Sequence, residues 1–315
     1  MEERFRAPLL FRIKGVFILA EKFHYGGQAV IEGVMIRGQK AVGTAVRRSD
    51  GEIVTSTIPL TSVFSGRGRK IPLLRGIVVL IEALTLGMKV LLYSANVALE
   101  EQEEKISGVY VWLLVLFAMA LAVSLFFMAP LFLTKLLSQY LTSPLVFNIV
   151  EGLIRVAIFV IYLKVMTVLP DIKRVFEYHG AEHKVINAYE HDAPLEVESV
   201  RKYGTAHTRC GTSFIFVVLL IAIFVFALFG LPSLWLMVLS RIVLLPVIAA
   251  LGYEVIYFAA RHTGFWLLKA ILAPGLWLQS LSTREPDDNE IEVALTALKK
   301  TLGVDQGTEA AQPSS

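Results

Sequence analysis

Residues Val109–Leu133 read VYVWLLVLFAMALAVSLFFMAPLFL, with no charged residue across the run. About 25 such residues make a helix long enough to cross a roughly 30 Å hydrocarbon core with some tilt. A second apolar run, Leu145–Leu169, follows after the short Lys135–Ser143 connection, so the two predict a transmembrane hairpin. Farther along, Thr212–Phe229, the turn Gly230-Leu231-Pro232-Ser233 and Ile242–Ala260 predict a second hairpin. The chain of 315 residues is 55% hydrophobic and only 18% charged, which excludes an ordinary soluble protein of this size. The fold class that follows is a polytopic α-helical membrane protein with about four transmembrane helices in two hairpins.

The segments before the first run differ in kind. Residues 1–25 carry Arg4, Arg6, Arg12 and Lys14 among apolar residues, which suits a basic amphipathic segment lying on an anionic lipid surface. These charges also break any clean signal-peptide core, so the first span is expected to serve as the targeting signal. Over residues 26–70 the pattern becomes strand-like, and Ala41–Arg48, Ser49-Asp50-Gly51 and Glu52–Ile58 predict a hairpin about an Asp-Gly turn. This is a small β-containing unit whose glycines fit no nucleotide-binding pattern. Residues 71–104 read as an amphipathic helix in which Arg75, Glu82 and Lys89 recur every seven positions. Packing on the bilayer surface or against other helices is preferred, with a true span as the lesser reading.

Lysine and arginine set the orientation. Residues 1–99 hold 14 of them against 7 acidic residues, and residues 170–211 hold six, whereas the far ends of the hairpins hold Lys135 and Arg241. The positive-inside rule then places the N-terminus, the β-containing unit, the 170–211 loop and the C-terminus in the cytoplasm of a bacterium, with the spans in its inner membrane. Residues 264–303 are expected to form an interfacial and then a short amphipathic soluble helix, and 304–315 a disordered tail. Within the hairpins 109–169 and 212–260, Glu151 and Arg155 form an i, i+4 pair, Lys164 can snorkel, and Glu254 stands alone.

Chemistry concentrates in the 170–211 loop, which holds four of the six histidines. Tyr178-His179-Gly180-Ala181-Glu182-His183-Lys184 places two imidazoles one helical turn apart with Glu182 beside them. The order His-x-x-Glu-His matches the inverted zinc-hydrolase signature, in which the histidines bind metal and the glutamate acts as general base. A zinc site needs three or four N, O or S ligands. His179 and His183 would be joined by His207 or Cys210, with Glu190 and His191 as further donors; His191, followed by Asp192 and Pro194, reads better as a loop residue. The block His179, His183, His207 and Cys210 is therefore the expected metal centre, a divalent transition metal with zinc foremost, and Glu182 the expected catalytic base. Cys210 is the single cysteine, which excludes an intramolecular disulfide.

Gly26–Arg37, Tyr178–Lys184, the block His207-Thr208-Arg209-Cys210-Gly211-Thr212-Ser213-Phe214, and Thr283-Arg284-Glu285-Pro286 carry a resemblance to the YqhQ-like bacterial membrane proteins, domain-of-unknown-function family 1385. It extends from about Gly26 to Leu302. The resemblance implies an uncharacterised membrane protein described as a metal-dependent enzyme. It also raises the expectation that Glu32, inside the first of these blocks, belongs to the site as a ligand or a second-sphere acid.

Three function classes follow. The first is a metal-dependent hydrolase at the cytoplasmic membrane face, acting on a membrane-protein or lipid-linked substrate. The second is a non-enzymatic membrane assembly factor or scaffold with a structural metal. The third, transport, ranks lowest because four spans carry so few charges. Beyond the lipid bilayer itself, nothing in the composition points to nucleic acid as a partner.

Overall fold

A computed structural model describes residues 10–13, 16–19, 23–60, 71–98, 108–207, 209–228, 230, 233–261 and 266–308. Within the basic N-terminal segment the backbone of β1 (Leu10–Ile13) and β2 (Val16–Leu19) pairs as an antiparallel hairpin. The β-containing unit is a four-stranded antiparallel meander of β3 (Gly26–Val30), β4 (Gly33–Arg37), β5 (Ala41–Arg47) and β6 (Ile53–Pro59), neighbours in chain order. Its last turn is the Asp50-Gly51 turn read from the sequence, closed by Arg48 N–H to Glu52 O at 2.9 Å and Glu52 N–H to the Asp50 carboxylate at 2.9 Å.

Strand periodicity gives this sheet two buried faces. Val34, Ile36 and Ala45 face α5 (Pro170–Glu190), through Tyr178, Ala181 and Val185, and α11 (Asp288–Gln306), through Ile291, Ala294 and Leu298. Val30, Met35 and Val42 point the other way, onto Leu86 and Val90 of α1 (Leu74–Ala98). The C-terminal helix, expected to be short and soluble, is thus a core layer of the β unit. Asp287 caps its start with a reciprocal Asp287–Glu290 capping box, and Gly307 ends it in the left-handed region. The helix therefore reaches past the expected start of the tail at residue 304; residues 309–315 lie outside the described residues.

Among the described residues, four helices are long and apolar enough to cross a membrane: Leu74–Ala98, Trp112–Leu136, Pro144–Met166 and Gly211–Leu228. The last three match expected spans. The expected span Ile242–Ala260 is instead α8 (Leu234–Val243) and α9 (Leu245–Arg261), bent by 46°. Pro246 cannot donate the backbone bond that would carry one helix into the other. Helix α1, preferred from the sequence as a packed helix, is packed and is also long and apolar enough to span, with two of its three charges paired. Arg75 pairs with Glu254 of α9, at 2.7 Å from Nε, and Glu82 with Arg37 of β4 at 2.9 Å. Its first half lies on α9, with Gly76 against Ala250, and its second half on the sheet.

The second of these helices contains a distortion with a local cause. Helix α2 (Gly108–Val123) passes through a π-helical turn, Ser124–Met128, into α3 (Ala129–Leu136). Pro130 has no N–H for the carbonyl four residues back, that of Phe126. Arg155 of α4 (Pro144–Met166) donates its Nε–H there at 2.9 Å. Arg155 also donates to Glu151, as does Arg241 of α8, whose Nη2 additionally reaches Asn148 Oδ1 at 3.4 Å. All three charged groups are 1% exposed. The self-neutralising Glu151–Arg155 pair read from the sequence is therefore a three-residue cluster, and Arg241, assigned to a connecting loop, is part of the buried bundle.

Candidate metal centre

The His-rich segment folds mainly as α5, which starts at Pro170 three residues after α4 and leans on the sheet. Tyr178, Ala181 and Val185 face the β-unit core, so the helical period turns His179 and His183 toward the opposite flank, where the chain returns at Thr205–Cys210. A short helix, α6 (Val197–Val200), lies between, and α7 (Gly211–Leu228) begins immediately after Cys210. The fourth wall is the end of α10 (Trp266–Ser282).

One ligand atom from each of His179, His183 and Cys210 lies within 4.8 Å of the other two. The two imidazole centroids are 4.5 Å apart, and Cys210 Sγ is 3.3 Å from His179 Nε2. Donors around a tetrahedral zinc ion at 2.0–2.3 Å sit roughly 3.3–3.7 Å from one another. His179 Nδ1 lies 2.8 Å from Ser282 O, and His183 Nδ1 contacts Thr205 O. Carbonyls only accept, so both Nδ1 atoms carry a proton, and in the neutral imidazole form the Nε2 atoms are the ones left with a lone pair. That is the arrangement of metal-binding imidazoles oriented by an outer carbonyl. The Thr212 N–H points at Cys210 Sγ from 3.4 Å. The donor set and its orientation thus fit a divalent transition metal.

Glu182 is buried, with Oε2 3.6 Å from His183 Nε2. Gly27 of β3 lets the chain pass close by: a Cβ there would run into the Met35 main-chain carbonyl and lie 2.8 Å from both Glu182 Cγ and Ile36 Cδ1. Gly180 serves a similar end, since a Cβ would run into the Arg284 carbonyl of the segment that leads from α10 to α11. Arg284 N–H binds Phe176 O at 2.9 Å, tying that segment to α5 next to Ser282.

His207 adjoins the three donors, its ring 5.6 Å from that of His183, but it turns toward Glu190. Its buried Nε2 is 3.5 Å from Glu190 Oε2 and has no hydrogen-bond partner among the described residues. The main chain of His207 is clamped by Gln279, which accepts from His207 N at 2.9 Å and donates to His207 O at 2.7 Å and Ser213 Oγ at 2.7 Å. Burial would push the Glu190 carboxyl up, but His207 and the Arg209 guanidinium outweigh it and hold the group at about 2.

Of the expected site residues, His179, His183, Cys210, His207 and Glu182 come together, and two others do not. Glu32, at the β3–β4 turn with φ 51°, pairs with Arg174 and accepts from Tyr178 Oη at 3.3 Å. It belongs to the opposite flank of α5. The glycine-rich block reaches the histidine motif at Glu182 through Gly27, not through its own carboxylate. His191 is exposed, with Nδ1 on Asn187 O at 2.7 Å. Sequence reasoning missed Ser282 and Thr205, which act through main-chain carbonyls and leave no side-chain signal. Gln279 was the legible omission, a fully amide side chain inside an apolar helix.

Comparison with known proteins covers most of the chain. Residues 71–304 match the family described as "Protein of unknown function (DUF1385)". The chain is 37% identical over 310 residues to "Uncharacterized protein YqhQ" of Bacillus subtilis (strain 168), spanning 92% of this chain and 96% of that protein. No solved structure matches it.

Proposed function

We propose that this chain, which belongs to the DUF1385 family, is a metal-dependent hydrolase working at the cytoplasmic face of a bacterial membrane. The observation that carries this reading is the convergence of His179, His183 and Cys210 with both histidine Nδ1 atoms occupied by carbonyls. Three donors and an open fourth position are the pattern of a catalytic zinc site. Held by His179, His183 and Cys210, a divalent ion would supply Lewis acidity at this site. Glu182 is within reach to accept the proton of the attacking water and return it to the leaving group, so that water is divided across the cleaved bond. The positive-inside pattern supports the cytoplasmic assignment for the termini and the metal centre.

One observation favours a second reading. His183, Cys210 and His207 are each buried, and His207 Nε2, which makes no hydrogen bond and lies 3.5 Å from Glu190 Oε2, could turn to close the coordination shell. A closed four-ligand site is structural, which suits an assembly factor or scaffold. Metal analysis of the purified protein and of two variants separates these readings. On the hydrolase reading, wild type and Glu182→Gln carry one equivalent, His179→Ala carries none, and only wild type complements a deletion strain. Full complementation by Glu182→Gln would favour the scaffold, and metal-free wild type purified without chelators would sink both.

A further inference from the structure

Helices α4 and α10 pack through Phe159, Leu163 and Leu278 but leave a cavity of about 320 Å³ beside that contact. Its walls are Val160, Ile161, Lys164, Val165, Trp277 and Leu281. Ile161, Val165 and Trp277 are more than half exposed, and the first two lie within a membrane-length apolar helix, so the cavity opens sideways where acyl chains would be. Five walls are apolar and the sixth is a cation. Arg284 adds a second positive charge at the same end, since its guanidinium contacts Thr167 O at 3.4 Å, less than one helical turn beyond Lys164. Among the described residues neither Lys164 nor Arg284 meets a carboxylate.

The cavity also adjoins the metal centre. Leu281 lines it, and the next residue, Ser282, receives the Nδ1–H of His179. His179 is the half-exposed member of the three donors, while His183 and Cys210 are buried. Through Ser282, His179 is the donor tied to the α10 wall of the groove. A ligand that fits has an apolar tail for Val160, Ile161 and Trp277 and an anionic head for Lys164 and Arg284.

We propose that this groove binds an anionic phospholipid from the surrounding bilayer and holds its headgroup beside His179, which makes such lipids the substrate class of the centre. The assignment of substrate rests on the metal-hydrolase reading; the lipid site does not. The test uses the full chain in nanodiscs with Trp277 as the sole tryptophan, after Trp112→Phe, Trp235→Phe and Trp266→Phe. Quenching of Trp277 is titrated with dibrominated phosphatidylglycerol and, separately, dibrominated phosphatidylcholine. The anionic lipid should quench at a mole fraction lower by on the order of tenfold or more, and Lys164→Gln with Arg284→Gln should remove most of that difference, on the order of five-fold per cation. Equal quenching by the two lipids, or an unchanged preference in the double variant, overturns the proposal. Metal is measured in the same samples. Metal present without lipid preference removes the groove alone, and lipid preference without metal removes the hydrolase reading and the substrate assignment with it.

Discussion

The carbonyl of Phe126 accepts the Nε–H of Arg155 at 2.9 Å, and it is the same carbonyl that Pro130 leaves without a helical donor. One proline in the second candidate span thus supplies an acceptor for a buried cation in the third. The rest of the charge is met by Glu151, which serves both Arg155 and Arg241, with the Phe226 ring 4.4 Å from the Arg241 guanidinium carbon.

This cluster predicts an asymmetry. Glu151→Gln leaves two buried guanidiniums without a carboxylate and should cost about 3–5 kcal/mol. Arg241→Met leaves the neutral Glu151–Arg155 pair and should cost clearly less. Unfolding of the detergent-solubilised protein measures both, and an Arg241→Met loss equal to that of Glu151→Gln would contradict the shared-carboxylate account.

Metal removal should destabilise the unit that holds α5, α7 and α10 together. An ion present at about one hundred times its dissociation constant adds about 2.7 kcal/mol. Chelation of wild type should therefore lower the melting temperature, and readdition of zinc should restore it. His183→Ala should melt at the chelated value with or without zinc; a zinc response that survives in this variant places the ion elsewhere.

Gly27→Ala tests the link between the sheet and the motif. The added methyl runs into the Met35 main-chain carbonyl and meets Glu182 Cγ and Ile36 Cδ1 at 2.8 Å in a packed layer, and overpacking of this kind costs about 1–3 kcal/mol. Metal content should persist because the three donors lie elsewhere on α5 and at Cys210, while complementation falls through displacement of Glu182. Loss of metal together with function would show that the strand supports the donors directly.

Glu290 gives the protein a pH dependence that can be read from the capping box. Burial first, then the hydrogen bond with Asp287 and the charge of Glu177, raise its carboxyl from 4.5 to about 7. A raised acid favours the folded state when protonated, so its contribution is full below about 4.5 and is lost as pH climbs through 7. Glu290→Gln keeps a capping-box partner and removes the titration. The variant should flatten the stability profile between these limits and be more stable than wild type above pH 7, by roughly 1–3 kcal/mol. Identical profiles for the two proteins would exclude the assignment.

Much of this was legible before any coordinates. Val109–Leu133 and Leu145–Leu169 announce helices by uncharged length, and the Asp50-Gly51 turn sets the register of β5 and β6. His179 and His183 share a face by spacing alone. Helix α11 was legible as a helix but not as a core layer, because its apolar stripe does not say which surface it covers. The bend near Leu244 was hidden by continuous apolar composition, although Pro246 marked it. Glu32 was misplaced because nearness to a glycine-rich block in sequence says nothing about which flank of α5 a side chain meets.

By itself the sequence determined the apolar lengths, the strand periodicity and the i, i+4 histidines, all local properties of spacing along one chain. Tertiary structure decided the rest. It brought Cys210 to His179 across 31 positions, set Ser282 and Thr205 as the carbonyls that fix both imidazole tautomers, and put Arg241 on Glu151 across 90. The clustering of histidines and the lone cysteine suggested the first of these contacts; the others depend on which helix faces meet and on main-chain groups that every residue carries alike, so no pattern of side chains announced them.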